Sequence, residues 1–119
     1  CIIRKAYGGA YSAMDSKELG ADIVLAWPSA EVAIMGAEGA VSVLYRKELD
    51  AAADKERVRE EKIQEYREKF VTPYYTASKR QIDILIRPQE TRLHIIRSLE
   101  MLENKKITRA ERKHGNIPL

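Results

Sequence analysis

The amino-acid sequence predicts an α/β fold in which helices pack against a sheet. Three short apolar runs have the composition of buried strands: DIVLAW at 22–27, EVAIM at 31–35 and IDILI at 82–86. Other segments carry apolar residues at helical spacing among polar ones. Strands that alternate with helices along a chain are typical of a sheet covered by helices.

The first segment is predicted to be a strand, a tight glycine turn and a short helix. An apolar start leads to the pair Gly8 and Gly9, and helix-forming residues follow as far as Gly20. A glycine in that position is typical of a helix end. The runs at 22–27 and 31–35 then supply two strands joined by a short loop.

The middle of the chain is predicted to be helical. A helix is expected to begin at 36–39, with Glu38 in its first turn, where the helix dipole favours a negative charge. Apolar residues at helical spacing amid many charges predict a second, largely solvated helix over 56–70, which stops before Pro73. The intervening LDAAAD fits either a helix or a loop.

The last third is predicted to hold a short helix or turn, the strand at 82–86 and a final helix. Pro88 is tolerated as the first residue of a helix. The helix that it begins carries four apolar residues at helical spacing: Leu93, Ile96, Leu99 and Leu102. The predicted order is strand, helix, strand, strand, helix, helix, strand and helix, all in one folding unit.

Composition and charge exclude several classes of protein. With 119 residues, the chain is long enough for one domain with a modest core. Its apolar runs are far shorter than a membrane span, and its start shows no signal-peptide pattern. The 21 basic and 18 acidic residues leave no basic face with interleaved aromatics. We therefore expect neither a bilayer span nor a nucleic-acid interface.

Metal and disulfide chemistry are not expected either. Cys1 is the single cysteine, and His94 and His114 lie far apart without the spacing of metal ligands. The basic stretch at 105–113 is predicted to be a solvated tail or a patch for an acidic partner.

The glycine pair is the candidate site for chemistry. Two glycines between a strand and a helix let the backbone turn sharply and approach a ligand closely. Free N–H groups at a helix amino terminus can hold an anion or a developing oxyanion. A glycine pair after a strand is also common as a simple tight turn, so both interpretations stay open. The sequence contains no GxSxG, P-loop or GxGxxG motif, so catalysis would depend on backbone electrostatics or a cofactor.

Several motifs occur here in the order in which one family carries them. They are RKAYGGAY at 4–11, SKELGAD at 16–22, AWPSAEVAIMGAEGAV at 26–41, REEKIQEY at 59–66, PQETR at 88–92 and KHGNIPL at 113–119. In these motifs the chain resembles the carboxyltransferase subunits of propionyl-CoA carboxylase and related acyl-CoA carboxylases, of methylmalonyl-CoA decarboxylase and of transcarboxylase. The resemblance covers essentially the whole sequence.

The resemblance implies a crotonase-like fold with two related domains per subunit, of which residues 1–119 form the carboxyl-terminal part of the second. It implies carboxyl transfer between carboxybiotin and the α-carbon of a short acyl-CoA, such as propionyl-CoA or methylmalonyl-CoA. The acyl-CoA half of the site would lie elsewhere, so this part alone is expected to be inactive.

The same resemblance implies a set of partners. Biotin would be carried on a separate domain or protein, and biotin carboxyl carrier and biotin carboxylase components would be partners. The full subunit would form a hexamer, would need no metal in this part and would work in the cytoplasm, or in the mitochondrial matrix of a eukaryote.

By motif, the resemblance also assigns roles around the glycine pair. The N–H groups of Gly9 and Ala10 would hold the urea oxygen of biotin as it becomes enolate-like. Ser12 stands where many propionyl-specific relatives have aspartate, so it is expected to influence acyl preference. Three further residues are candidates for the biotin pocket: Tyr7, Gly8 and Tyr11. Tyr7 and Tyr11 could instead have a structural role, with their rings packed beneath the turn.

Other functions stay open at this point. A decarboxylase subunit would run the transfer in reverse, from methylmalonyl-CoA to biotin. A non-catalytic oligomerisation module would not depend on Gly9. A hydratase or isomerase of the crotonase type would need acidic residues near the oxyanion hole, for which Ser12 and Asp15 are poor candidates. Arg80 stands where relatives often have glycine, and we expect it to affect the local turn geometry.

Overall fold

The structure is a computed structural model that describes residues 1–107. Most of the basic stretch at 105–113, the KHGNIPL motif at 113–119 and His114 lie outside the described residues.

Within the described part of the chain, four short strands pair in parallel. They are β1 (Lys5–Tyr7), β2 (Leu25–Ala26), β3 (Glu31–Ala33) and β4 (Ile84–Leu85). In the register of the first pair, β1 lies beside β3 with Tyr7 opposite Ala33, and β2 lies beside β4. A bridge between Ile2 and Ala26 joins the two pairs. The described strands therefore stand in the order β3, β1, β2, β4. The segment that contains β1 lies near the centre of this order.

Residues 1–107 also form six α-helices. They are α1 (Gly8–Ala13), α2 (Ala37–Leu44), α3 (Arg46–Ala51), α4 (Lys55–Tyr66), α5 (Pro73–Ser78) and α6 (Thr91–Leu102). The charged helix predicted from residue 56 is confirmed as α4, where the Asp54 side chain accepts a hydrogen bond from the N–H of Arg57 at 3.1 Å. A π-helical turn over Arg67–Val71 follows it. The Nε1–H of Trp27 donates to Oγ1 of Thr91 at 2.9 Å and so ties α6 to the end of β2.

The observed strands are shorter than the apolar runs that predicted them. Only Leu25–Ala26 of the run at 22–27 and only Ile84–Leu85 of the run at 82–86 form ladder pairs. Val24 and Ile86 are nevertheless buried. Burial of apolar side chains, which the sequence signals, therefore extends further than backbone pairing, which needs a neighbouring strand.

The first helix ends earlier than predicted. It stops at Ala13, and Asp15 then adopts a φ of 71°, which a helix cannot continue. A 3₁₀ turn over Lys17–Leu19 follows, and Gly20 closes it with a φ of 110°. The glycine thus ends this separate turn rather than α1.

Arg80 occupies a left-handed position at the end of α5. Its N–H donates to the carbonyl oxygen of Ala77 at 2.9 Å, and the N–H of Gln81 donates to that of Thr76 at 3.3 Å. These two bonds form a Schellman motif, whose left-handed residue is usually glycine. Arg80 has a φ of 62° there, so its β-carbon strains the turn.

The buried core lies around the β1–β2–β3 region. Its central members are Val24, Ala26, Ala30, Val32 and Ile82, and the ring of Tyr11 packs against them. Several large apolar side chains face outward instead, among them Met14 and Ile34, each 85% exposed. Over residues 1–107, the helices are all too short or too polar to span a bilayer.

Candidate functional site

The glycine turn joins β1 directly to α1. Tyr7 still has an extended backbone, and Gly8 then turns it with a φ of +60°. A β-carbon at Gly8 would lie 2.9 Å from the carbonyl oxygen of Ile34, closer than real β-carbons approach. Both the conformation and the lack of space therefore require glycine at this position.

The second glycine has different surroundings. A β-carbon at Gly9 would meet nothing within 4 Å, and its φ lies outside the left-handed region. Packing inside the described chain therefore does not explain this glycine. It leaves open space beside the backbone at the start of α1.

The N–H groups at this point can act as donors. The first N–H groups of a helix have no acceptor within the helix, and those of Gly9 and Ala10 belong to this set. Both residues are exposed. The turn therefore presents two neighbouring backbone donors, the arrangement that stabilises negative charge on a carbonyl oxygen.

A first cleft of about 390 Å³ lies on one side of the turn. Its lining contains residues from α1, β3, the 3₁₀ turn and the end of α5: Gly8, Gly9, Tyr11, Ser12, Glu18, Val32, Ala33, Ile34, Thr76 and Gln81. The structure thus brings four of the six predicted site residues into one cleft.

A second cleft, of about 460 Å³, also borders α1. Tyr7, Ala10 and Met14 line it, and Tyr11 lines both clefts. The predicted site residues are therefore divided between the linings of two clefts, with Gly9 in the first and Ala10 in the second.

The side chain of Tyr7 is held within the chain. Its hydroxyl donates to the carboxylate of Glu31 on β3, and its ring lies 3.5 Å from where a β-carbon of Gly36 would be. Burial, the hydrogen bond to Glu31 and that carboxylate's charge raise the pKa of Tyr7 to about 12. These contacts anchor the residue that precedes the turn.

The hydroxyl of Tyr11 makes no hydrogen bond in the described part of the chain. The oxygen is buried and has no hydrogen-bond partner among residues 1–107. Burial, and to a lesser degree the charge of Glu18, raises the pKa of Tyr11. Its phenol is therefore neutral at physiological pH.

Two residues of the first cleft, Glu18 and Gln81, meet only in the folded chain and were not among the predicted site residues. Nε2 of Gln81 donates to the carboxylate of Glu18, 63 residues away in sequence. Glu18 lies on a turn that was expected to be helix, and Gln81 follows α5, so nothing in their spacing indicated a contact. Within the described residues, no group of three or more His, Cys, Asp or Glu side chains could hold a metal ion.

Comparison with known proteins places this arrangement in a family. The carboxyl transferase domain family matches residues 1–117. The methylmalonyl-CoA carboxyltransferase 12S subunit of Propionibacterium freudenreichii subsp. shermanii is 54% identical over 98% of this chain and 22% of that protein. A propionyl-CoA carboxylase carboxyltransferase subunit of Haloferax mediterranei is 53% identical over 99% of this chain and 23% of that protein.

Solved structures show the same fold. A crystal structure of transcarboxylase 12S, a hexamer with methylmalonyl-coenzyme A and methylmalonic acid bound, superposes with a TM-score of 0.90 at 54% identity, over 98% of this chain and 22% of that one. The β subunit of P. aeruginosa geranyl-CoA carboxylase gives a TM-score of 0.68 at 25% identity, over 85% of this chain and 22% of that one.

The chain belongs to the carboxyl transferase domain family, and its fold is that of the carboxyltransferase structures. It spans about a fifth of the length of the curated relatives that it matches.

Proposed function

We propose that residues 1–119 are the carboxyl-terminal part of a biotin-dependent carboxyltransferase subunit. Its reaction is carboxyl transfer between carboxybiotin and the α-carbon of a short acyl-CoA. The turn at Gly9 and Ala10 binds the urea oxygen of biotin. Family membership and the relatives' names support the reaction class. The observation that carries the residue assignment is the left-handed turn at Gly8, which leaves the backbone at Gly9 open.

The turn suits a carbonyl-type oxygen that gains negative charge. Two neighbouring N–H donors can bind one oxygen, and they stabilise it most when its charge is largest. No β-carbon stands over Gly9, and a cleft of about 390 Å³ opens beside it, within the size of small-ligand sites. Biotin would supply the carrier for the carboxyl group, and this chain would orient its urea through backbone donors.

The two N–H donors must be shielded from water to stabilise charge strongly, and residues 1–107 do not shield them. Gly9 and Ala10 are exposed, and in water such hydrogen bonds stabilise charge far less than in a dry site. We therefore place the acyl-CoA half of the site on another domain that closes over the turn, in a homo-oligomer such as a hexamer. Biotin carboxyl carrier and biotin carboxylase components complete the system, in the cytoplasm or the mitochondrial matrix.

The reaction is tested with the full-length protein that carries this sequence. Carboxyl transfer with free biotin is measured for acetyl-, propionyl- and methylmalonyl-CoA, in both directions. Transfer with a clear acyl preference is expected. A folded oligomer that transfers no carboxyl group to or from any of the three would contradict the proposal and favour a non-catalytic role.

The residue assignment is tested by removing one donor. Gly9→Pro lacks the N–H, so transfer should fall by about 10²–10³-fold while acyl-CoA affinity stays near that of the wild type. Gly9→Ala keeps the N–H and meets no neighbour within 4 Å, so it is the matched control and should lose much less activity. Equal rates for the proline variant and the wild type would remove Gly9 from the site.

The reverse direction is a second candidate, because the methylmalonyl-CoA decarboxylase subunit alpha of Propionigenium modestum is 48% identical over 99% of this chain. The two-direction assay decides between them. A decarboxylase subunit should transfer from methylmalonyl-CoA to biotin faster than it carboxylates propionyl-CoA.

A further inference from the structure

The shape of the glycine turn depends on the residues on either side of it. Glycine has more backbone freedom than any other residue, and Gly8 and Gly9 stand next to each other. Two tyrosines flank the turn: Tyr7 precedes the glycine pair, and Tyr11 follows Ala10. The direction of the N–H groups of Gly9 and Ala10 therefore depends on how these two side chains are held.

The two tyrosines are held in different ways. The ring of Tyr11 packs against the buried core, but its hydroxyl has no hydrogen-bond partner among residues 1–107. The hydroxyl of Tyr7 instead donates to the carboxylate of Glu31 on β3. Packing limits the position of a ring, whereas a hydrogen bond also depends on angle. Of the two flanking tyrosines, Tyr7 therefore has the directional contact.

Glu31 reaches Tyr7 because of the register of β1 and β3. Lys5 lies opposite Glu31, and Tyr7 lies opposite Ala33. Alternate residues of a strand point to the same face, so Glu31 and Tyr7 are diagonal neighbours on one face of the sheet. A shift of β3 by one residue would turn Glu31 to the opposite face. The hydrogen bond thus couples the alignment of β3 to the residue that precedes the turn.

Two close approaches confine the same part of the chain. The carbonyl oxygen of Ile34, the residue after β3, lies 2.9 Å from where a β-carbon of Gly8 would be. The ring of Tyr7 lies 3.5 Å from where a β-carbon of Gly36 would be, just before the first residue of α2. Ile34 therefore limits the turn itself, while Gly36 and Glu31 limit the ring and the hydroxyl of the tyrosine before it.

The chemistry of the Tyr7–Glu31 pair suits a firm contact. Burial, the hydrogen bond to Glu31 and the charge of Glu31 raise the pKa of Tyr7 to about 12, so the phenol keeps its proton and remains a donor at neutral pH. A carboxylate accepts a stronger hydrogen bond than a neutral oxygen does. Glu31 lines neither of the two clefts beside the turn, so its influence on a ligand there must pass through Tyr7.

We propose that Glu31 is a positioning residue, whose carboxylate holds Tyr7 in the orientation at which the N–H groups of Gly9 and Ala10 point to one oxygen. This inference rests on the proposed function, and it adds a residue that acts on the turn from outside the clefts. Misplacement of a group by about 1 Å can cost about a hundredfold in rate. A purely structural hydrogen bond would instead stabilise the fold and leave the kcat of the folded protein unchanged.

The test uses the full-length protein and carboxyl transfer with free biotin. The kcat and KM values are measured for the wild type, Tyr7→Phe and Glu31→Ala at a temperature at which circular dichroism shows each of them to be folded. Each variant should lower kcat about tenfold, because both lose the same hydrogen bond, while the KM for acyl-CoA stays unchanged. The double variant should be about as slow as the slower single variant, because residues that act as one unit are not additive.

Two control variants separate positioning from general damage. Glu31→Gln keeps the side-chain length and an acceptor for the hydroxyl of Tyr7, so it should keep most of the wild-type kcat. Thr91→Val removes the acceptor of the Trp27 Nε1–H at the end of β2. Thr91 lines neither cleft, so this variant should lose stability but keep its kcat.

The outcomes distinguish this inference from the proposed function. No transfer by the wild type would overturn both. Wild-type transfer with an unchanged kcat in Tyr7→Phe and Glu31→Ala would overturn the inference alone. An equal loss of kcat in Thr91→Val would indicate general damage, and additive losses in the double variant would show that the two side chains act separately; either result would overturn it too. If Glu31→Ala does not fold, Tyr7→Phe, which keeps the ring beside Gly36, decides.

Discussion

The carbonyl oxygen of Ile34 lies 2.9 Å from the point that a β-carbon of Gly8 would occupy. The residue that follows β3 thus lies close against the turn that begins α1. Gly8 also has a φ of +60°, so space and conformation impose the same choice of residue. The adjacent Gly9 has neither constraint. Substitution of the two glycines is therefore expected to have different effects on stability.

Gly8→Ala should destabilise the turn by about 2 kcal/mol or more, because it combines left-handed strain with a clash against the backbone of Ile34. Gly9→Ala should leave stability unchanged or raise it by up to about 1 kcal/mol, because alanine favours helix over glycine. Hydrogen exchange of peptides that cover residues 5–14 measures the local opening free energy of both variants. Similar losses at the two positions would contradict the distinction.

Arg80→Gly should stabilise the end of α5 by about 1 kcal/mol, because glycine adopts the left-handed conformation without the cost that a β-carbon brings. Arg80→Ala keeps a β-carbon and should give no comparable gain. Hydrogen exchange of peptides over residues 74–82 provides the comparison. A stabilised alanine variant would show that loss of the arginine side chain, rather than relief of strain, is responsible.

The Lys17–Asp83 pair should make stability depend on acid pH. Nζ of Lys17 lies 2.8 Å from Oδ2 of Asp83, and the same oxygen accepts the N–H of Val24 at 2.7 Å. Burial disfavours the charged carboxylate, but these hydrogen bonds and the charge of Lys17 outweigh it and lower the pKa of Asp83.

A lowered folded-state pKa stabilises the protein above the ordinary carboxyl range, and the contribution disappears as pH falls through the lowered value. Lys17→Met should therefore cost about 1 kcal/mol at neutral pH, since the pair is partly exposed, and less in acid. Denaturation midpoints against pH measure this. A wild-type advantage that stays constant into strong acid would contradict it.

Tyr7 should make stability depend on alkaline pH, in the opposite sense to Asp83. Its pKa is raised to about 12, so the stabilisation is complete below the ordinary tyrosine value and disappears as pH rises toward the folded-state pKa. Tyr7→Phe should thus be less stable than the wild type at neutral pH, and the difference should shrink above about pH 10. Glu31→Gln, which removes the charge but keeps an acceptor, should lower the pKa of Tyr7, as ultraviolet difference titration against Tyr7→Phe would show. An unchanged titration would mean that burial and the retained hydrogen bond, rather than the charge of Glu31, raise the pKa.

Elements with local signals were predictable from sequence. The charges around α4, and Pro73 beyond its end, fixed that helix without reference to the rest of the chain. Gly20 misled the prediction of α1, because the break comes from the left-handed Asp15, whose side chain tolerates that conformation and gives a weaker signal than glycine. The strand at 82–86 was overestimated because pairing depends on β2, which is distant in sequence.

The candidate site was predictable only in part. The motif around Gly8 and Gly9 indicated the turn, and its strand-to-helix position is as expected. The division of Gly9 and Ala10 between two clefts depends on how α1 packs on the strands, which no motif encodes. Gln81 could not be assigned to the lining of this cleft, because its contact with Glu18, 63 residues away in sequence, is made only in the folded chain.

The order of the strands has a consequence for synthesis on the ribosome. Tyr7 pairs with Ala33, so the partner of β1 leaves the exit tunnel shortly after the turn itself. Leu25 must instead wait for Ile84. Contacts between segments far apart in sequence also form more slowly in general. A nascent chain can therefore complete the turn between β1 and α1 early, whereas the contact of Gln81 with Glu18 at the adjacent cleft is added only when the segment around Gln81 has been translated.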